Sequence, residues 1–257
     1  NDPVYLKAAQ DLASFLVDKM VVDGVLYRIW KSGVCKQPGF LEDYASVING
    51  LLSMYQTDNN TRWFQTANEL TSAMISRFYD PDLGFFDTPV DGEPMIIRPQ
   101  EYQDNALPSG ASLACKALIQ MYHWTLNDHF LNIVESHLSD LTSMLEEYPT
   151  AFSFWLQISD DIKGPYIELA SFGDEQYAAN IARIASGRFR PRMQSGFAFN
   201  GQEHNLPELL RTKKSTMDRN VSYLCETFIC HTPESDVSKL QAKLDGYYSY
   251  PVLLPRS

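Results

Sequence analysis

The chain has 257 residues, of which 32 are acidic and 21 basic, giving a formal net charge of −11, and 44% of its residues are hydrophobic. That composition excludes a fully disordered chain, and the length suffices for one large core or two modest ones. The acidity argues against nucleic acid or an anionic membrane surface as a main partner, since both select basic patches. No apolar run approaches the roughly 20 residues that cross a bilayer.

Helical periodicity dominates the first 160 residues. Leu12, Phe15, Leu16 and Met20 share one face of a first helix. Leu41, Tyr44, Ala45, Ile48, Leu51, Leu52 and Tyr55 recur at helical spacing, and so do Phe64, Ala67, Leu70, Met74, Ile75 and Phe78, with Thr61 placed to cap them. A fourth helix is expected from Pro108, a fifth carries Phe130 through Leu145 and stops at Pro149, and a short sixth covers Ala151–Ile158. The links between these helices alternate between short (Gln56–Asn60, Leu126–Asp128) and long (Met20–Phe40, Tyr79–Leu107). Short links make antiparallel αα-hairpins, so hairpins packed side by side collect the long links on one end. Long ordered loops tend to be functional, and these carry strand-like pieces at Val25–Trp30 and Gly84–Phe86. The layout is that of an α/α toroid with one decorated mouth. After the break at Gly164-Pro165 the pattern changes to a small α/β region over residues 161–257. Strands are expected at Tyr166–Ala170, Phe197–Phe199 and Val221–Cys230, a helix at Asp174–Ser186, and a polar loop over Gly201–Asn220.

Two segments combine chemistry-bearing residues with entry into a helix from a long loop. In the first, Glu42 and Asp43 stand in a first helical turn, where a helix dipole and free N–H groups favour anions. Tyr44 is turned inward beside them. The second runs from Arg98 through Tyr102, Asp104 and Ser109 to Gly110, and here Asp104, Asn105 or Ser109 could equally cap the helix. No G-x-S-x-G elbow, phosphate loop, H-x-x-x-H or calcium loop occurs, so no metal and no cofactor is expected. The four cysteines, Cys35, Cys115, Cys225 and Cys230, form no C-x-x-C and are too sparse for a disulfide scaffold. Reduced thiols are expected, with Cys225 and Cys230 too far apart on one flat strand to bond. With no basic n-region and apolar stretch at Asn1-Asp2-Pro3, a cytoplasmic location is the expectation.

The segment PGFLEDYASVINGLLSMYQTDNNTRWFQTANEL, followed in order by GFFDT, DNALPSGASLA and SYLCETFIC, resembles the family of thioredoxin-domain proteins related to spermatogenesis-associated protein 20. The resemblance covers nearly the whole chain. It implies the C-terminal half of a six-hairpin, glycosidase-like (α/α)6 toroid plus its tail. The early hairpins and the thioredoxin-like domain would then be missing partners. By position it turns Glu42, Asp43, Tyr44, Asp87, Asp104, Ser109 and Gly110 towards the toroid mouth. Two readings follow. In one, the protein is carbohydrate-related, hydrolysing or epimerising a sugar with Glu42 or Asp43 and Asp104 as the acid/base pair, while Trp30, Tyr44, Asp87, Arg98, Tyr102 and Ser109 hold the substrate. In the other, it is a non-catalytic module that binds a partner or scaffolds a thioredoxin-like domain, its carboxylates tied up in caps and salt bridges. A redox role for Cys225 and Cys230 is a third reading.

Overall fold

A computed structural model describes residues 3–200, 202, 204–213 and 220–247. The chain is mainly helical with a few small sheets, and it divides into two compact units. The first comprises Asn1–Gly164 with Pro207–Leu209, and the second Pro165–Leu206 with Leu210–Ser257. Among the described residues no helix is long and apolar enough to cross a membrane.

The first unit opens with α1 (Pro3–Phe15), which runs into a π-helical turn at Leu16–Met20. Of the four residues expected to form its apolar face only Met20 is buried; Leu12 is 58% exposed and Phe15 also lies at the surface. A three-stranded antiparallel sheet follows: β1 (Val21–Val22), β2 (Val25–Lys31) and β3 (Val34–Pro38). Then come two helical hairpins. The first pairs α2 (Leu41–Asp58) with α3 (Thr61–Phe78), and the second pairs α4 (Gly110–Thr125) with α5 (Asp128–Glu147). Every apolar residue assigned to α2 from its periodicity is buried. The cap of α3 is Asn60, one residue before the expected Thr61, its side chain accepting from the Arg62 amide at 3.1 Å. α4 begins two residues after Pro108, and Ser109 is its cap. The sixth helix is split by register: a 3-10 turn at Pro149–Phe152 precedes α6 (Ser153–Lys163).

α2 and α4 lie side by side with their N-termini at the same end. Asn49 on α2 donates to the Leu113 carbonyl of α4 (3.0 Å) and accepts from Gln120 (2.6 Å). At the N-termini the backbones close in so far that a Cβ on Gly110 would stand 3.3 Å from the Glu42 amide nitrogen. The long link between α3 and α4 holds the two-stranded piece β4 (Tyr79–Asp80) and β5 (Gly84–Phe85). That piece is anchored by His137 of α5, whose ring lies between Phe85 (centroids 5.2 Å apart, 28°) and Trp155 (6.2 Å, 14°).

Gly84 sits at φ 82°, and a Cβ there would stand 2.5 Å from Tyr102 Oη and 2.9 Å from His137 Nε2. Gly84→Ala therefore combines backbone strain with overlap, and we expect a loss of roughly 2–4 kcal/mol in urea unfolding. Burial lowers the His137 pKa below the ordinary histidine value, opposed by its bond to the Ile133 carbonyl and by Asp140. The fold holds this imidazole neutral. Its contribution is thus complete above the unfolded pKa of about 6.5 and is lost as pH falls towards the depressed folded value. Wild type should lose stability as pH falls below about 6.5 more steeply than His137→Gln; equal slopes would refute this role.

The second unit is built on a four-stranded mixed sheet of order β7-β6-β8-β9. β6 (Ile167–Gly173) is buried throughout and is followed by α7 (Glu175–Ser186), capped by Asp174, and by β7 (Met193–Phe199), which pairs parallel to it. Ile167 and Leu169 face α7 and the later α9, while Ala170 and Phe172 pack with Leu206 and Leu210 on the opposite face. In the expected polar loop, Gly201, Glu203 and residues 214–219 lie outside the described residues, and the remainder contains the single turn α8 (Glu208–Arg211). Val221–Cys230 is two strands rather than one: β8 (Val221–Glu226) and β9 (Ile229–Cys230), folded back through Thr227-Phe228. That fold-back overturns the expected separation of the cysteines, because Cys225 and Cys230 become cross-strand neighbours and are joined by a disulfide. α9 (Val237–Gly246) closes the described part.

Candidate functional site

The paired N-termini of α2 and α4, together with the α3–α4 link, enclose a cleft of about 450 Å³ in the first unit. Its walls are Phe40 and Glu42 at the start of α2, Asp87, the stretch Glu101, Gln103 and Asn105–Pro108 of the link, and Ser109 and Gly110 at the start of α4. Three carboxylate side chains, those of Glu42, Asp87 and Glu101, line this space.

Asp87 is held by its backbone on both sides. Its carbonyl accepts from the Leu41 amide (3.0 Å) and its amide donates to the Pro99 carbonyl (2.9 Å). Its carboxylate accepts from the Glu101 amide at 3.0 Å. Half-burial lifts its pKa to about 6, and the negative charges of Glu101 and Glu42 add to the rise against that amide bond. Glu42 is more open, its side chain 54% exposed, and it pairs with Arg28 of β2 at 3.2 Å. The Arg28 guanidinium in turn stands over the Phe40 ring, 4.6 Å from its centroid.

Of the nine residues assigned to catalysis or substrate from sequence, Glu42, Asp87 and Ser109 line the cleft and the other six do not; Gly110, turned to the mouth by the resemblance, and Asn105, a candidate cap, line it as well. Asp43 accepts from the Phe40 amide (2.8 Å) and lies 3.6 Å from Arg28, so it caps α2. Asp104 is buried, and its carboxylate is filled by the Ser109 amide (3.0 Å), the Ser112 hydroxyl (2.9 Å) and the Phe154 amide (2.8 Å). Tyr44 is fully buried; its hydroxyl accepts from the Leu26 amide (3.0 Å) and from Arg77 (2.7 Å). Arg98 donates to the Thr88 carbonyl (2.5 Å) and covers the Phe86 ring (4.1 Å). Tyr102 turns its hydroxyl towards the Phe85 carbonyl (3.4 Å), and burial pushes its pKa up to about 12. Trp30 packs edge-on against Phe15 (5.6 Å). Glu101 and Gln103 belong to the same segment as Tyr102 and Asp104, and alternation along that extended link was the signal that could have found them. Ser109 has two tasks: its hydroxyl accepts from the Ser112 amide (3.2 Å) and donates to the Tyr102 carbonyl (3.2 Å). Among the described residues no group of three or more His, Cys, Asp or Glu side chains could hold a metal ion.

No family model matches the chain. It is similar to spermatogenesis-associated protein 20 of Homo sapiens, 24% identical over 214 residues, which is 80% of this chain and 27% of the human protein. The Mus musculus protein of the same name matches at 24% identity over the same shares. An uncharacterised protein of Caenorhabditis elegans is 20% identical over 259 residues, covering 92% of this chain and 34% of its own length. These relatives support the resemblance to the family of spermatogenesis-associated protein 20. The chain spans about a quarter of the length of the mammalian relatives it matches.

Proposed function

We propose that the first unit is part of a six-hairpin, glycosidase-like α/α toroid, and that its cleft binds a carbohydrate or a similar hydroxyl-rich small molecule and hydrolyses or epimerises it. The observation that carries this reading is the cleft-lining Asp87 carboxyl, with its pKa lifted to about 6. Such a group exchanges a proton near neutrality, as a general acid or base requires. The side-by-side packing of α2 and α4 supports the toroid. In this reading Asp87 is the acid/base group, Glu42 its carboxylate partner, and Gln103 and Asn105 offer hydrogen bonds to sugar hydroxyls. This changes the acid/base pair expected from sequence, since Asp43 and Asp104 are occupied as caps.

The test is titration of the chain with a panel of neutral mono- and disaccharides by calorimetry, together with assays for hydrolysis and epimerisation, on wild type and Asp87→Asn. We expect at least one sugar to bind and be turned over, with turnover falling about 100-fold or more in Asp87→Asn. The same variant should be more stable than wild type at pH 7. A folded pKa raised above the unfolded 3.8 means that ionised Asp87 is disfavoured by the fold above about pH 6, and that penalty fades as pH falls through 6. Absence of sugar binding, or unchanged turnover in the variant, would overturn the catalytic reading.

A second reading has its own support. α1 presents Val4, Tyr5 and Leu12 to solvent, and the mammalian relatives are far longer than the matched segment. A binding or scaffold module, covered by further hairpins or a thioredoxin-like domain of a longer protein, fits those observations.

A further inference from the structure

The second unit carries a disulfide of its own at the β8–β9 hairpin. The Cys225–Cys230 disulfide closes a two-residue turn in which Thr227 has φ 47° and Phe228 φ 65°. Turns of this type need positive φ at both central residues, which Asn-Gly adopts at little cost, whereas a β-branched and an aromatic residue are both strained there. The turn is held by two further bonds. Thr227 donates its amide to the Tyr166 carbonyl (2.8 Å), and Phe228 donates its amide to the Glu168 carboxylate (3.1 Å). The two sulfurs are unequal. Cys225 is completely buried, while Cys230 is exposed beside Ile229, itself 77% exposed. An incoming nucleophile can reach one end of this bond only, and it meets an apolar side chain next to it.

We propose that Cys225–Cys230 is a thiol–disulfide exchange site whose co-substrate is a dithiol reductant. A thiolate of the dithiol attacks Cys230 Sγ, forming a mixed disulfide. The Cys225–Cys230 bond breaks, and its electron pair leaves on Cys225 Sγ, which takes up a proton in its buried position. The second thiol of the dithiol then attacks the reductant's own sulfur in the mixed disulfide and releases Cys230, which takes up a second proton from water. The protein gains two electrons and two protons as two thiols, and the dithiol is oxidised to a disulfide. Once the covalent tie is gone, the strain at Thr227 and Phe228 opens the hairpin, so reduction is coupled to a change in exposed surface around Ile229.

The test uses the intact chain without denaturant. Free thiols are first blocked with N-ethylmaleimide, the protein is equilibrated with mixtures of reduced and oxidised dithiothreitol, and newly formed thiols are counted by mass after maleimide labelling. We expect two thiols to appear together, with hydrogen exchange at the amides of residues 224–231 rising about tenfold or more in the reduced form. Replacing the strained turn by Thr227→Asn with Phe228→Gly should make the disulfide about tenfold harder to reduce at equilibrium, because the relaxed turn gains less from opening. Reduction only after unfolding, or Cys225 and Cys230 both found as free thiols beside Cys35 and Cys115 in protein purified without reductant, would overturn the exchange site. An unchanged equilibrium in the double variant would overturn the coupling to the turn.

Discussion

Asp104→Ala should unfold at markedly lower urea concentration than wild type, with a loss on the order of 3–4 kcal/mol. The buried carboxylate ties three places together: the Ser109 amide at the start of α4, the Ser112 hydroxyl one turn on, and the Phe154 amide at the start of α6. Truncation leaves one buried and one half-buried amide without an acceptor, and a hydrogen bond to a charged group is worth more than a neutral one. Asp104→Asn keeps one acceptor oxygen and should lose about half as much. All four tryptophans, Trp30, Trp63, Trp124 and Trp155, belong to the first unit, so tryptophan fluorescence reads this transition without interference from the second. A shift of less than about 1 kcal/mol would mean that the caps are dispensable and that the buried carboxylate has another task.

Trp155→Ala should be comparably severe, at roughly 3–5 kcal/mol, from a cavity in a fully buried site. The indole covers His137 and donates Nε1–H to the Tyr102 carbonyl at 2.8 Å. Trp155→Phe keeps most of the volume and loses mainly that hydrogen bond, costing about 1–2 kcal/mol. The alanine variant also opens His137 to water. Its pKa should therefore rise back towards the ordinary histidine value and the acid-induced loss of stability should shrink. Nuclear magnetic resonance titration of the His137 ring would measure this directly, and an unchanged pKa would show that Trp155 is not what excludes water.

Much of the helical architecture was legible because its signals are local. The 3.6-residue recurrence from Leu41 to Tyr55 marks a buried face without reference to the rest of the chain. Alternation of short and long links likewise placed the long loops and the starts of α2 and α4 together. The roles of the carboxylates were not legible in the same way. Asp43 and Asp104 look alike in sequence to Glu42 and Asp87, but the Phe154 amide that fixes Asp104 is fifty residues away. The hairpin in Val221–Cys230 was missed for another reason: Thr227-Phe228 carries none of the glycine or asparagine that announces a tight turn, so ten residues rich in β-branched and aromatic side chains read as one strand. The outward-facing Leu12 and Phe15 show that periodicity reports an apolar stripe, not what covers it.

The pairing of two helix N-termini at one end has an electrostatic consequence. Each brings a partial positive charge of about half an elementary unit and a set of free amides, a combination that ordinarily attracts phosphate. Here the chain supplies its own anions to those ends, Asp43 to α2 and Asp104 to α4, and then lines the adjacent space with Glu42, Asp87 and Glu101. The helix fields are thus neutralised from within, and the cleft repels further negative charge. If the cleft takes a ligand as proposed, a phosphorylated or carboxylated molecule would bind less well there than its neutral counterpart.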